Sequence, residues 1–383
     1  MKKLLHRISE YLRHADLLLY LLCMAITAVG IVSLVALANT GYIDTSPGIP
    51  FRTALVQLGA AGAGVLGAFI LSRIDYHTIG KLWKLHLPVC VLLVLLTFIV
   101  GEGVGEADDV AWLRLFGGMT LQPTEMLKIS FIVTFAYHLS KVGLRLNDLR
   151  NVLLLLLHAG ALIFLVHKQG DDGTALIFAL ICVSMLFIAG FSWWYIAACA
   201  VLLAAGAPVI WFYVMNDDQR GRILALYTQG ETAAAYESFL FQQNRGLIAI
   251  GSGQVHGVGL FSGEHSYVPA MRNDFIFSFI GEALGFVGCC GVILLLCGIC
   301  LKVLGTSYLA LDDLGRYICV GVFAMIAFQT VINIGMNLKL LPVVGVTLPF
   351  LSAGGTSVMA VWLGIGLVLS VYMHSRKNLF LDK

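Results

Sequence analysis

The sequence predicts an all-α polytopic membrane protein of about ten transmembrane helices, with both termini on the cytoplasmic side and a large extracellular loop between helices 7 and 8. Three observations carry that prediction. Of 383 residues, 59% are hydrophobic and 12% are charged, about half the charged share of a soluble domain, and the mean hydropathy is +0.90. Ten apolar stretches approach the roughly 20 residues that a spanning helix needs. Lys and Arg are divided unevenly between alternate connections, and that division sets orientation.

The ten stretches are 17–38, 53–72, 85–101, 124–140, 151–168, 173–189, 193–214, 275–301, 315–336 and 350–373. With a cytoplasmic N-terminus, the inner segments hold fifteen Lys and Arg residues and the outer segments eight. Four of those eight, Arg220, Arg222, Arg245 and Arg272, share one long loop, where the bias carries little weight. The whole chain, 1–383, reads as one integral membrane domain. Its first segment, 1–16, pairs Leu4, Leu5, Ile8, Tyr11 and Leu12 with basic residues and reads as an amphipathic helix on the inner leaflet. The first apolar run is long enough to span and lacks a cleavage site, so it is not read as a signal peptide. Gly59, Ala63 and Gly67 form a small-residue packing face.

The connection 215–274 exceeds an ordinary linker and holds a polar part, Asn216 to Glu237, then a half-apolar part, Phe239 to Ile250. That apolar part is expected along the outer membrane face. The last three spans occupy 275–373. Nine cysteines lie in or beside apolar segments with no zinc-like spacing, and read as lipid- or core-facing thiols. Membrane lipids are the expected surroundings, and nucleic acid is not an expected partner.

Four polar clusters interrupt the apolar pattern, all at outer helix ends. Asp274 precedes the long apolar run from Phe275, and Glu282 lies eight residues on, about two turns along one face. An ionisable group inside a membrane helix is a functional-site hypothesis, whereas an Asp at a helix start also serves as a cap. Gln122-Pro123-Thr124-Glu125 opens another span, and Lys128 stands three residues from Glu125, so the two can pair. That pair reads either as a tie between helices or as part of a polar cavity. Asp171 and Asp172 occupy an outer turn and read as helix caps or as ligands for a divalent cation. Ser352, Gly354, Gly355, Thr356 and Ser357 open the last span, where small residues serve close packing and free N–H groups suit an anion.

These residues also resemble a family. Asn273-Asp274-Phe275-Ile276-Phe277 with Gly281-Glu282-Ala283-Leu284-Gly285, Gln122-Pro123-Thr124-Glu125 with Lys128, and Asn333-Ile334-Gly335-Met336 through Leu348-Pro349-Phe350-Leu351-Ser352-Ala353-Gly354-Gly355 are similar to motifs of the SEDS proteins (FtsW, RodA, SpoVE), closest to RodA. Asp171-Asp172-Gly173-Thr174-Ala175 and the glycine run from Gly251 fit the same family, so the likeness runs from about 112 to 360. It departs at Ala111, Arg272-Asn273, Ala283 and Ala353, where the family has other residues.

The resemblance implies a ten-helix, inverting peptidoglycan glycosyltransferase that polymerises lipid II into undecaprenyl-diphosphate-linked glycan at the outer face of the cytoplasmic membrane. It also implies a class B penicillin-binding protein as transpeptidase partner. The essential aspartate falls on Asp274, the cavity pair on Glu125 and Lys128, and the family's tryptophan on Trp112. Such chemistry needs a base for a sugar hydroxyl, and partial desolvation raises a carboxylate's pKa toward that task. Asp274 is the expected base. The departing diphosphate needs positive charge or N–H groups. The candidates are Arg245, Arg272, Lys339, the amides of Ser352 to Ser357, and Mg2+ or Mn2+ held by Asp171, Asp172 or Asp274. A lipid II flippase or transporter and a non-catalytic scaffold are the rival expectations. A carrier, however, would centre its site at the bilayer midplane.

Overall fold

Lipid offers no hydrogen-bond partner to the backbone, so an apolar chain of this kind closes its N–H and C=O groups within helices. The computed structural model describes residues 15–43, 51–101, 110–114, 120–228, 237–262 and 264–381. Among them are thirteen α-helices: α1 (Leu17–Asn39), α2 (Arg52–Arg73), α3 (Tyr76–Lys81), α4 (Trp83–Val100), α5 (Pro123–Val142), α6 (Leu149–Lys168), α7 (Asp172–Ile188), α8 (Trp193–Val209), α9 (Asp217–Tyr227), α10 (Glu237–Ser252), α11 (Ile276–Leu309), α12 (Asp313–Asn337) and α13 (Gly355–Leu381). A two-residue ribbon, β1 (Leu113–Arg114) against β2 (Thr120–Leu121), is antiparallel and leads directly into α5.

Each of the ten expected spans has its helix, and α3, α9 and α10 lie in the connections between them. Among the described residues, eight helices are long and apolar enough to cross a membrane. The two spans outside that set are α5, which carries Glu125 and Lys128, and α7, which is 17 residues long. Of the expected amphipathic segment 1–16, only Ala15 and Asp16 lie within the described residues. Asp16 caps α1 by accepting from the Leu19 amide and pairs with Lys302 Nζ at 2.6 Å.

The core is built around α13, which is buried over 89% of its most apolar window and runs along α2. The opposite case is α8, where no residue is fully buried among those described. It carries exposed Trp193 and Trp194 at one end, with Phe212 and Tyr213 in the π-helical turn that continues the other. Such aromatic ends suit a lipid-facing helix held at both interfaces.

The end of the bundle away from Asp274 has its own polar joint. The His77 imidazole on α3 bonds Asp75 Oδ1 at 2.8 Å through Nδ1 and Asp312 Oδ2 at 2.5 Å through Nε2. The Tyr76 hydroxyl donates to Asp312 Oδ1 at 3.0 Å. Burial opposes a charge on His77, but the bonds to Asp75 and Asp312 outweigh it and hold the imidazole above its ordinary pKa. Asp75 is held below the usual carboxylate range, because hydrogen bonds from the His77 amide and ring outweigh the opposite effect of burial.

Two expected boundaries change. The last span starts at Gly355 rather than 350, because Leu348 to Gly354 form a turn in which Phe350 has φ +67° and the Ser352 hydroxyl accepts from the Leu348 amide. The span from 275 is not one helix but two. Gly285, at φ 67° and ψ −164°, separates a short half-helix, 276–284, from the main run to Leu309.

Candidate active site

Asp274 sits just before the half-helix, partly exposed. The N-cap is Phe275 with no side-chain bond, and Asn337 of α12 takes over the role by accepting from both Ser278 N (3.2 Å) and Ser278 Oγ (2.7 Å). The Asn337 Nδ2 donates to the Asp274 carbonyl at 2.9 Å, and Asn333 Nδ2 donates to the same oxygen at 2.9 Å. The two preceding carbonyls are held as well. Arg272 O accepts from the Ala353 amide at 2.8 Å and Asn273 O from Ser352 Oγ at 2.6 Å. A Cβ built on Gly345 would stand 3.9 Å from Asp274 Oδ2, so the carboxylate lies beside the Val343–Val346 segment.

The half-helix is anchored at its far end by loop 254–259. Breaking the helix at Gly285 frees carbonyls and amides that lipid could not satisfy. Glu282 O and Ala283 O accept from the Val258 and Gly259 amides, and the Phe286 and Val287 amides donate to Gln254 O and Val255 O. Glu282, expected in the cavity on one face with Asp274, is instead a tie to the stretch His265–Ser266. It is 2% exposed, its Oε1 accepts from the Ser266 amide at 2.9 Å, and its Oε2 pairs with His265 Nδ1 at 3.2 Å. These partners hold it inside the protein.

Glu125 and Lys128 pair at 3.0 Å with side chains 4% and 0% exposed. They are sealed, and Glu125 Oε2 and Thr124 Oγ1 have no partner among the described residues. Beside them Gln122 Nε2 donates to Asp171 Oδ2 at 2.8 Å, while the Gln122 amide donates to Thr356 Oγ1 at 3.3 Å. Asp171 caps α7 by accepting from the Thr174 amide at 2.9 Å. Burial raises its pKa to about 6, the hydrogen bonds and Lys128 opposing that rise only in part.

Gln122 therefore joins the N-terminal ends of α5, α7 and α13, and the Ser352 bond brings that of α11 alongside. Four positive helix ends at one place favour negative charge there. Of the amides proposed for an anion, those of Ser352, Ala353 and Gly354 are taken, by Leu348 O, Arg272 O and Gln57 Oε1. Those of Gly355, Thr356 and Ser357 have no acceptor among the described residues. The Ser357 and Thr347 hydroxyls bond each other at 3.0 Å.

The acidic pair does not make a cation cage. Both Asp171 oxygens accept from N–H groups, and Asp172 is held by His167 Nδ1 at 2.5 Å and by Gln219 Nε2. Among the described residues no three His, Cys, Asp or Glu side chains converge. Trp112 is half-buried, one residue before the β1/β2 ribbon that delivers Gln122.

The FtsW/RodA/SpoVE family, described as cell cycle proteins, matches residues 13–377. The chain belongs to that family. It is 31% identical over 364 residues to the stage V sporulation protein E of Bacillus subtilis, covering 94% of this chain and 98% of that protein. It is 32% identical to a probable peptidoglycan glycosyltransferase FtsW of Geobacter sulfurreducens over 93% of this chain and 94% of the relative. The peptidoglycan glycosyltransferase MrdB of Escherichia coli is 31% identical, with 84% and 85% covered. Among solved structures, a chain of a peptidoglycan synthase complex that coordinates polymerization and crosslinking aligns with a TM-score of 0.77 at 25% identity, over 94% of this chain and 98% of that one. The rod shape determining protein RodA of Thermus thermophilus aligns with a TM-score of 0.65 at 26% identity, over 94% and 96%.

In this FtsW/RodA/SpoVE chain the rim cations are unevenly placed. Lys339 donates to Asn244 Oδ1 at 2.9 Å, two residues past Asn337. Arg272 is half-buried two residues before Asp274. Arg245 is exposed with its guanidinium over the Phe241 ring. Sequence reasoning missed Asn337 and Gln57. Gln57 on α2 is 1% exposed and holds both Ser352 O and the Gly354 amide. The available signal was an amide side chain inside an apolar span, with Asn333 and Asn337 one turn apart.

Proposed function

We propose that this chain polymerises lipid II into glycan strands at the outer face of the cytoplasmic membrane, with Asp274 as the base. The observation that carries the reading is the partly exposed carboxylate held by its own backbone beside a cluster of four helix N-termini. In the reaction the acceptor sugar's 4-hydroxyl oxygen attacks the donor's anomeric carbon with inversion. Its proton passes to the Asp274 carboxylate, and the carbon–oxygen bond to the diphosphate breaks with the electron pair leaving on the diphosphate. The first-turn amides of α13 and the side chains of Arg272 and Lys339 suit that leaving group, since donors aimed at developing charge are the main source of such catalysis. A divalent cation fits as a companion of the substrate's phosphates rather than a resident of the protein, as Mg2+ commonly binds. No step is assigned to it.

The relatives' names support cell-wall synthesis, and the solved synthase complex supports a class B penicillin-binding protein as transpeptidase partner. A flippase reading is weaker because the polar groups gather at the outer end rather than the midplane. Purified protein given lipid II and Mg2+ or Mn2+ separates the readings: strands form, or lipid II only changes leaflet, or neither occurs. Asp274→Asn is expected to abolish strand formation while leaving lipid II binding. Full polymerase activity in that variant would overturn the base assignment.

A further inference from the structure

We infer that Asn337 and Asn333 are positioning residues that fix the catalytic carboxylate through its own peptide carbonyl, a conclusion that rests on Asp274 being the base. Three observations lead there. Both amides donate to one acceptor, Asp274 O, each at 2.9 Å, although they sit a full turn apart on α12. Asn337 is 0% exposed and uses all its side-chain capacity. Its Oδ1 caps the half-helix at Ser278, and its Nδ2 also bonds Asn333 O at 2.9 Å. Asn333 is likewise 0% exposed, and its second contact is to Val346 O at 2.7 Å, on the segment beside the Asp274 carboxylate.

A capping role normally falls to the residue before a helix, and Asp is suited to it. Here Asn337 caps from another helix, at Ser278, while the Asp274 backbone stays pinned by its carbonyl. Asn333 also ties the base's peptide to Val346, so the base and the segment beside it move as one unit.

The test is kinetic and uses the full-length protein in proteoliposomes with lipid II. Asn337→Asp keeps the shape and the acceptor for Ser278 but removes the amide donor. Asn337→Leu removes both. A displacement of about 1 Å at a reacting group costs on the order of a hundredfold in rate, so kcat is expected to fall by about tenfold to a hundredfold with KM for lipid II nearly unchanged. A merely structural role would lower the yield of monodisperse protein and its Tm, leaving kcat per folded molecule intact. Wild-type kcat in the folded Asn337 variants would overturn the clamp. Where neither accumulates, Asn333→Leu removes one donor only and is expected to lose several-fold in kcat; no loss there would overturn it equally. Asp274→Asn, run alongside, separates the two ideas. If it is inactive while the Asn variants are normal, only the clamp fails, and if it is active, the base assignment fails.

Discussion

A methyl group at Gly173 would sit 2.1 Å from the Val344 carbonyl oxygen, closer than any real contact. The acidic turn therefore packs directly on the segment that underlies Asp274, and side-chain size there is read at the site. Gly173→Ala is expected to push Val344 away and to cut polymerase activity by about tenfold or more, by the same positional argument. An activity assay on folded protein checks it. Asp171 offers a separate measurement. Asp171→Ala leaves the Gln122 amide group and the Thr174 N–H without acceptors in a buried place, which costs about 1–3 kcal/mol. A lowered Tm in detergent is the expected result. The raised pKa of Asp171, about 6, adds a pH dependence. An acid whose folded pKa exceeds its unfolded value, about 3.9, loses relative stability as pH rises between those two values. Thermal scans from pH 4 to pH 7 should show that loss in the wild type and not in Asp171→Asn.

At the scale of elements, the half-helix 276–284 matters more than the length of the span that contains it. Its first turn is capped by Asn337 and its last is bonded to loop 254–259. Gly285 is essential to this, since φ 67° is costly for other residues and a Cβ would meet Gly257 N at 2.4 Å. Gly285→Ala is expected to straighten or unfold the break and to abolish activity, with a lower Tm as the accompanying sign. The joint at α3 is a second element-level device. The His77 pKa is raised, so its stabilisation is fully present below the ordinary histidine value of about 6.5 and is lost as pH climbs through the higher folded value. Asp75 is lowered, so its part is present above about pH 4 and lost below. The joint is strongest between these limits. Wild-type protein should lose more Tm between pH 6 and pH 9 than His77→Gln does.

For the whole molecule, α13 is the post on which the outer site is mounted. It lies so close to α2 that a Cβ at Gly64 would be 2.9 Å from Trp362 Cβ, and one at Gly366 would be 2.6 Å from Ala68 Cα. Without a hydrophobic drive between helices in lipid, such close approach is the main source of association. Gly366→Leu is expected to part the two helices at a cost of about 1–3 kcal/mol, since overpacking a tight contact is destabilising. Reduced monodisperse yield and a lower Tm are the measurements. Gln57 would then release the turn 352–354, and the Ser352 bond to the Asn273 carbonyl, next to Asp274, would be lost.

Much of this was legible in the chain itself. Apolar runs of about 20 residues become helices in lipid, which leaves the backbone no other closure, so the helix of each expected span was readable without any tertiary contact, eight helices among the described residues being long and apolar enough to cross a membrane. Asp274, Glu125, Lys128 and Gln122 were readable as well, since a polar group in such a run is conspicuous. What each polar group does was not readable, because that depends on which helix lies opposite. Glu282 meets His265 and becomes a tie, Asp172 meets His167 and Gln219, and the Asp274 carbonyl meets Asn333 and Asn337. Hydrophobicity is a property of each segment taken singly, and hydrogen-bond partnership is a property of pairs. Composition therefore determined that this chain crosses a membrane many times, while only tertiary packing decided which partners each of its carboxylates meets.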